Sequence, residues 1–139
     1  MAARKVYLEV VTPERTVLQE EAESVIVPGM QGYIGIQYNH APMVVGLRPG
    51  VLLYGDIDKE KARVAVSGGF AEVSNNRITV LADAAERADE IDVERARAAR
   101  ERAERRLRDY SSKIDHVRAE LALHRSLARL QAAGVRTRK

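Results

Sequence analysis

The sequence predicts an all-β N-terminal domain, a sandwich or flattened barrel, followed by a C-terminal antiparallel α-helical hairpin. Short apolar runs with an alternating pattern fill the first part of the chain, and turn residues interrupt them roughly every eight to twelve residues. Beyond Ala84 no glycine occurs before Gly134, and alanine, arginine, glutamate and leucine predominate. We therefore place the β domain at residues 1–84 and the two-helix hairpin, with a basic tail, at residues 85–139.

Alternation identifies the strands of the first domain. Apolar and polar residues alternate in the segments VYLEV, SVIVPG, ARVAVSGG and RITVLA. The segment SNNR, between Val73 and Ile78, predicts a hairpin turn because asparagine tolerates the left-handed backbone region. No helical crossover fits between strands so closely spaced, which favours a sandwich or flattened barrel over an α/β sheet.

The second part of the chain predicts two helices, near residues 91–108 and 113–131. The segment DYSSKID interrupts the helix formers, and Ser112 followed by Asp115 fits a capping box that starts the second helix. Because the connection is short, an antiparallel hairpin is the expected arrangement.

Charge is divided unevenly between the two parts. The whole chain carries a net charge of +3. Residues 1–90 contain 9 basic and 13 acidic side chains, a net charge of −4, whereas residues 91–139 contain 14 and 7, a net charge of +7. Such an asymmetry predicts different partners for the two parts.

Arginines recur in the same pattern in both predicted helices. The segments RARAARERAERRL (95–107) and RAELALHRSLARL (118–130) agree at six of thirteen positions. Spacings of four, three and four residues place one stripe on each helix. The stripes consist of Arg95, Ala99, Arg102 and Arg106, and of Arg118, Ala122, Arg125 and Arg129.

An arginine stripe is often no more than a solvated helix face. The repetition, and the absence of any acid from the second stripe, favour instead a phosphate-bearing ligand or an acidic protein segment. Nucleic acid is disfavoured because the helical region has a single tyrosine and no other aromatic residue.

The sequence predicts no catalytic and no metal-binding residue, and hence a chain that is not an enzyme on its own. Cysteine is absent, and the three histidines, His40, His116 and His124, miss the spacing of metal ligands. The glycine-rich segment GMQGYIGIQYNH lacks the lysine and hydroxyl of a phosphate loop. His40 is the one histidine in a loop, where a general base is less common than a local hydrogen bond.

The N-terminal residues MAARKVYLEV contain no uninterrupted apolar run of the kind that a signal peptide or a membrane span requires. The chain is therefore expected to be cytosolic or to be held at a membrane by partners.

Three segments, taken in order, resemble the epsilon subunit of bacterial F-type ATP synthases. VIVPGMQGYIGIQYNHAPMVVGLRPGVL (25–52) is similar to the signature loop and the following strand of that family. VAVSGGFAEVSNNRITVLAD (64–83) resembles its next strands, and EIDVERARAARERAERRL resembles its first C-terminal helix. The resemblance covers essentially the whole chain, and the ordered set of motifs is specific to the family.

The resemblance implies a subunit of the central stalk that works in ATP synthesis and proton transport, with a β-sandwich that binds the gamma subunit and the c-ring. It implies a mobile hairpin that permits ATP hydrolysis when packed on the sandwich. When extended, the hairpin inhibits hydrolysis through an acidic segment of the catalytic β subunit. The resemblance implies no catalytic cofactor and no nucleic-acid partner. It implies a peripheral protein at the cytoplasmic face of the cell membrane, which is attached to the membrane only through the complex. The residues implied to contact gamma and the c-ring are Tyr38, His40, Pro42 and Met43.

In some bacterial members of the family the folded hairpin binds ATP as a regulatory ligand, through the motif Ile/Leu-Asp-x-x-Arg-Ala. The present chain has this motif intact at residues 91–96. The ATP-binding residues implied are Glu86, Ile91, Asp92, Arg95, Ala96, Arg102, Arg125 and Arg129. The arginines are expected to surround the triphosphate, and Asp92 to orient the guanidinium of Arg95.

Two positions depart from the family pattern. Glu94 places an acid at a free position of the motif, and Tyr38-Asn39 stands where proline is frequent. The basic C-terminal segment GVRTRK receives no role.

The alternative to an epsilon subunit is a stand-alone basic interaction module that binds nucleic acid or other polyanions, with strongly salt-dependent affinity.

Overall fold

Ten strands, one 3₁₀ turn and two helices form the part of the chain that the computed structural model describes, residues 4–109 and 113–135. The strands are β1 (Val6–Val11), β2 (Thr16–Ala22), β3 (Ser24–Gly29), β4 (Gly32–Ile36), β5 (Met43–Gly46), β6 (Gly50–Gly55), β7 (Ala62–Val66), β8 (Phe70–Ser74), β9 (Arg77–Leu81) and β10 (Ala85–Arg87). The 3₁₀ turn Ala88–Glu90 leads to the helices α1 (Val93–Arg108) and α2 (Lys113–Ala132).

The strands form two five-stranded sheets that pack face to face. The first has the order β2-β1-β9-β8-β5 and the second the order β10-β7-β6-β3-β4. All neighbours are antiparallel except β1 and β9, which run parallel. The predicted sandwich followed by a helical hairpin is therefore confirmed.

The main core lies between the two sheets. Alternate residues of β1 are buried, as the period of two requires for a strand with one face on a core. Leu8 and Ile78 from the first sheet and Ile36 and Leu52 from the second are fully buried. Every buried member of this core lies between residues 6 and 85, so no buried side chain of the hairpin contributes to it.

The turn predicted at SNNR joins β8 to β9. Ser74 pairs with Arg77, and Asn75 and Asn76 occupy the two loop positions with φ of 51° and 60°. Two successive left-handed residues match the twist of the flanking strands, and asparagine accepts that conformation at little cost. The hairpin prediction is confirmed.

The second sheet continues past residue 84, where the sequence placed the end of the β domain. Ala85, Glu86 and Arg87 form β10 and pair with Val66, Ala65 and Val64 of β7. A strand of three residues is too short to show alternation, and for that reason its sequence does not distinguish it from the start of the helical region.

The two helices lie close to their predicted bounds. Asp92 precedes α1 and its Oδ1 accepts the main-chain N–H of Arg95 at 3.1 Å, an N-cap that starts the helix. The predicted capping box at Ser112 lies outside the described residues. The helices pack on one another, and four of their alanines are buried: Ala96, Ala103, Ala119 and Ala128.

Helix α2 lies against β6 and β7, on the outer face of the second sheet. A second apolar cluster holds it there, formed by buried Val51, Ala65 and Ala132 with Leu53 and Ile91 packed against them. This cluster is separate from the main core. The hairpin is therefore docked through a small apolar contact of its own.

Candidate functional site

A polar cavity of about 150 Å³ lies where the two helices meet the edge of the second sheet. Glu86 of β10, Asp92 at the start of α1, Arg95 and Ala96 of α1 and Arg129 of α2 line it. These five are members of the set of eight residues that the sequence implied for ATP, and the fold brings them together from three elements.

An ion pair crosses this cavity. Arg129 Nε lies 2.8 Å from Glu86 Oε1, and each side chain is about one-third exposed. The pair connects α2 to β10 and holds the Arg129 guanidinium beside the start of α1. Two arginines and two carboxylates line the cavity, so the opposite charges balance in the described structure.

Asp92 contacts Arg95 in a different way from the one predicted. Its carboxylate accepts the main-chain N–H of Arg95 at 3.1 Å, as the helix N-cap. Asp92 is predicted to orient the Arg95 guanidinium, but the described residues show no hydrogen bond between that carboxylate and the guanidinium. The physical reason is that an acid in this position satisfies a free amide of the first helical turn.

The other three predicted ligands lie elsewhere. Ile91 packs against the apolar cluster that docks α2. Arg102 is exposed on α1 and does not line the cavity. Arg125 lines a different, larger groove of about 840 Å³ between α2 and the sandwich, together with Arg48 and Asp83. The four arginines therefore do not surround a single cavity in this structure.

The loop before β5 and the first residue of β5 are expected to contact the gamma subunit and the c-ring. Tyr38 and Pro42 are exposed, and His40 and Met43 are half-buried. His40 Nδ1 lies 2.7 Å from the carbonyl oxygen of Ala41, which fits the interpretation of His40 as a residue that makes a local hydrogen bond.

Asn39 holds this loop in place. It has a φ of 65°, and its N–H donates to Asn76 Oδ1 at 2.6 Å. The loop is thus tied to the turn between β8 and β9, and its exposed side chains project from a fixed backbone.

An apolar row on the first sheet was not predicted from the sequence. Strand register places Val11 beside Leu81, and Leu81 beside Phe70, on the outer face of the first sheet. Phe70 is 46% exposed and Leu81 43%, and Val44 on β5 is 70% exposed. The alternating pattern marks each residue as outward-facing, but only the sheet order brings Val11, Leu81 and Phe70 side by side, whereas Val44 lies beside Glu72.

Among the described residues no group of three histidine, cysteine, aspartate or glutamate side chains is placed to hold a metal ion. In the same part of the chain, neither helix has the length and apolar character that crossing a bilayer demands.

This two-part arrangement is that of a family of rotary-motor chains. Residues 5–88 match the family model described as ATP synthase, Delta/Epsilon chain, beta-sandwich domain. Residues 89–134 match the model described as ATP synthase, Delta/Epsilon chain, long alpha-helix domain. The chain belongs to the delta/epsilon chain family of ATP synthases, and the resemblance inferred from its motifs is confirmed.

Two bacterial proteins similar to this chain are ATP synthase epsilon chains. The ATP synthase epsilon chain of Moorella thermoacetica is 56% identical over 127 residues, which span 91% of this chain and 95% of the relative. The ATP synthase epsilon chain of Symbiobacterium thermophilum is 59% identical over 128 residues, with 91% of each chain covered.

Solved structures agree with the sequence relatives. A chain in the structure of the Euglena gracilis mitochondrial ATP synthase, containing OSCP, F1 and the c-ring, aligns with a TM-score of 0.78 at 25% identity, over 96% of this chain and 82% of that chain. A chain of the Tetrahymena thermophila mitochondrial ATP synthase central stalk and c-ring aligns with a TM-score of 0.61 at 14% identity and shows the same fold.

Proposed function

We propose that the chain is the epsilon subunit of the central stalk of an F-type ATP synthase. In this role it is a non-catalytic subunit that links the catalytic head to the c-ring and regulates ATP hydrolysis through its C-terminal hairpin. The observation that carries the proposal is the separate docking of the hairpin, on its own small apolar cluster, in a chain whose two parts both match the delta/epsilon family.

The sandwich is the partner-binding part. Its exposed loop at Tyr38 and Pro42 is tied to the turn of the β8–β9 hairpin, and the apolar row that includes Phe70 and Leu81 lies at the other end of that hairpin. Exposed apolar side chains that adjoin one another are typical of protein interaction sites. We assign the loop and the apolar row to contacts with the gamma subunit and the c-ring, through which the chain is held at the cytoplasmic face of the membrane.

The hairpin is the regulatory part. Burying one side chain of valine size contributes about 1.5–3 kcal/mol, so a cluster built on Val51, Ala65 and Ala132 stabilises the docked hairpin by only several kcal/mol. A partner or ligand can reverse an energy of that size. Residues 91–139 carry a net charge of +7. Once released, the hairpin can therefore bind the acidic segment of the catalytic β subunit through opposite charge.

ATP is proposed as the ligand that favours the docked hairpin. The cavity between Glu86, Arg95 and Arg129 is smaller than the roughly 300–1,000 Å³ of pockets that enclose a whole small molecule. It fits phosphate groups, with the ribose and adenine outside it. Arg102 and Arg125 join the ligand only if their side chains turn toward the cavity, which the exposure of both permits.

Two measurements test this function. A pull-down with the gamma subunit of the same organism should give a stable complex that persists at moderate salt. Removing residues 89–139 should leave assembly of the reconstituted ATP synthase intact and raise its ATP hydrolysis. Binding to any polyanion with a steep salt dependence, and no complex with gamma, would support the stand-alone basic module instead.

A further inference from the structure

A paired arginine and glutamate connect the sandwich to the segment that leads into the hairpin. Arg15 lies in the turn between β1 and β2, and Glu90 ends the 3₁₀ turn. Arg15 Nη1 and Nη2 donate to the two carboxylate oxygens of Glu90 at 3.0 and 3.2 Å. This two-bond geometry is the most specific that an arginine and a carboxylate form.

Glu90 has a further partner on the sandwich side. The main-chain N–H of Arg87 donates to Glu90 Oε1 at 3.0 Å. The bond from Arg15, followed by the bond from Arg87, lowers the pKa of Glu90, so the carboxylate is charged at neutral pH. Arg15 and Arg87 both belong to the sandwich, because Arg87 pairs with Val64 of β7.

The residues that follow Glu90 belong to the hairpin. Asp92 caps α1, and Ile91 packs on the cluster that includes Ala132 of α2. Ile91 has an extended backbone, with φ of −76° and ψ of 126°. Ile91 and Asp92 are thus the only residues between the segment fastened by Arg15 and the first turn of α1.

We propose that the Arg15–Glu90 pair is a latch that makes Ala88–Glu90 part of the sandwich and fixes the pivot of the hairpin at Ile91 and Asp92. The inference rests on the release of the hairpin in the proposed function. With the latch closed, a released hairpin rotates only around the backbone bonds of Ile91 and Asp92, and it reaches a narrow range of directions. With the latch open, Ala88–Glu90 become part of a longer linker and the range widens, since each freed residue adds two soft dihedral angles.

Distances between spin labels test the latch. The chain has no cysteine, so two introduced cysteines are labelled without further changes. One pair, Glu21→Cys with Glu101→Cys, joins exposed positions on β2 and α1 and reports the hairpin. The other, Glu21→Cys with Asp89→Cys, reports the latched segment.

Ala132→Asp releases the hairpin in this experiment, because it puts a charge into the docking cluster, where Ala132 is fully buried. In that background the Glu21–Glu101 distance should change while the Glu21–Asp89 distance stays single and narrow. Adding Arg15→Gln should widen the Glu21–Asp89 distribution about twofold, as three residues gain freedom.

A matched control is Arg97→Gln, which removes an exposed ion pair within α1, 3.1 Å from Glu94, and should change neither distance. A Glu21–Asp89 distance that shifts together with the hairpin while the latch is intact would place the pivot before Ala88 and overturn the proposal. An unchanged Glu21–Asp89 distribution in Arg15→Gln would also overturn it. A hairpin that stays docked even in Ala132→Asp would refute the proposed release itself, and the pivot with it.

Discussion

Replacing Arg129 tests whether the cavity between β10 and the helices holds ATP phosphates. Its guanidinium lies 2.8 Å from Glu86 and about one-third of its side chain is exposed. A hydrogen bond to a charged group contributes about 1.5–3 kcal/mol, and partial exposure favours the low end of that range. We expect Arg129→Ala to weaken ATP binding about tenfold, at 1.4 kcal/mol for each factor of ten.

The comparison with Glu86→Gln separates phosphate binding from docking of the hairpin. Both variants break the same ion pair between α2 and β10, but Glu86→Gln keeps the guanidinium in the cavity. Partly exposed ion pairs contribute about 0.2–1 kcal/mol. Glu86→Gln should therefore weaken ATP binding no more than about fivefold.

Isothermal titration calorimetry on the wild type and both variants measures the difference, and Arg108→Ala serves as control. Arg108 is exposed at the end of α1, away from the cavity, and its loss should leave the affinity within about twofold. Equal weakening in Arg129→Ala and Arg108→Ala would show that ATP is attracted by diffuse positive charge and would refute the cavity as the site.

Three further predictions concern the sandwich, the helix cap and the latch. A chain that ends after Ala88 should retain a cooperative thermal transition and an all-β circular dichroism spectrum, because the main core uses no later residue; a molten product would contradict this. Asp92→Ala should destabilise the start of α1 by about 1 kcal/mol and speed exchange of the Arg95 amide, whose bond to Asp92 it removes. Glu90 has a pKa lowered by Arg15, so its contribution to stability is present above the ordinary carboxylate pKa of about 4.3 and is lost as the pH falls through the lowered value. Glu90→Gln should reduce the pH dependence of the free energy of unfolding in that window, and an unchanged pH dependence would count against the Arg15–Glu90 pair.

Several features of the fold followed from short-range patterns. Period-two alternation marked β1, β3, β7 and β9, and the two asparagines at positions 75 and 76 marked the turn between β8 and β9. The excess of helix formers and the absence of glycine marked α1 and α2 to within about two residues. Each of these signals depends on neighbours within one element, which is why the sequence carries them.

The candidate site was predictable only in part. The motif at residues 91–96 and the arginine stripes identified Asp92, Arg95 and Arg129, which do share a cavity. The stripe also placed Arg125 there, although it lines the groove against the sandwich. A spacing of four residues keeps two side chains near one helix face, but the rotation of α2 about its axis follows from the cluster on β6 and β7.

The sequence by itself determined the order of elements, the uneven charge and the family, because these depend on local periodicity, composition and motifs. The tertiary structure alone decided which side chains meet across elements. Arg15 and Glu90 are 75 positions apart, and Val11, Leu81 and Phe70 become neighbours only through the order β1-β9-β8. Such contacts depend on how whole sheets and helices pack, and no local pattern in the chain encodes the partner that a distant residue will find.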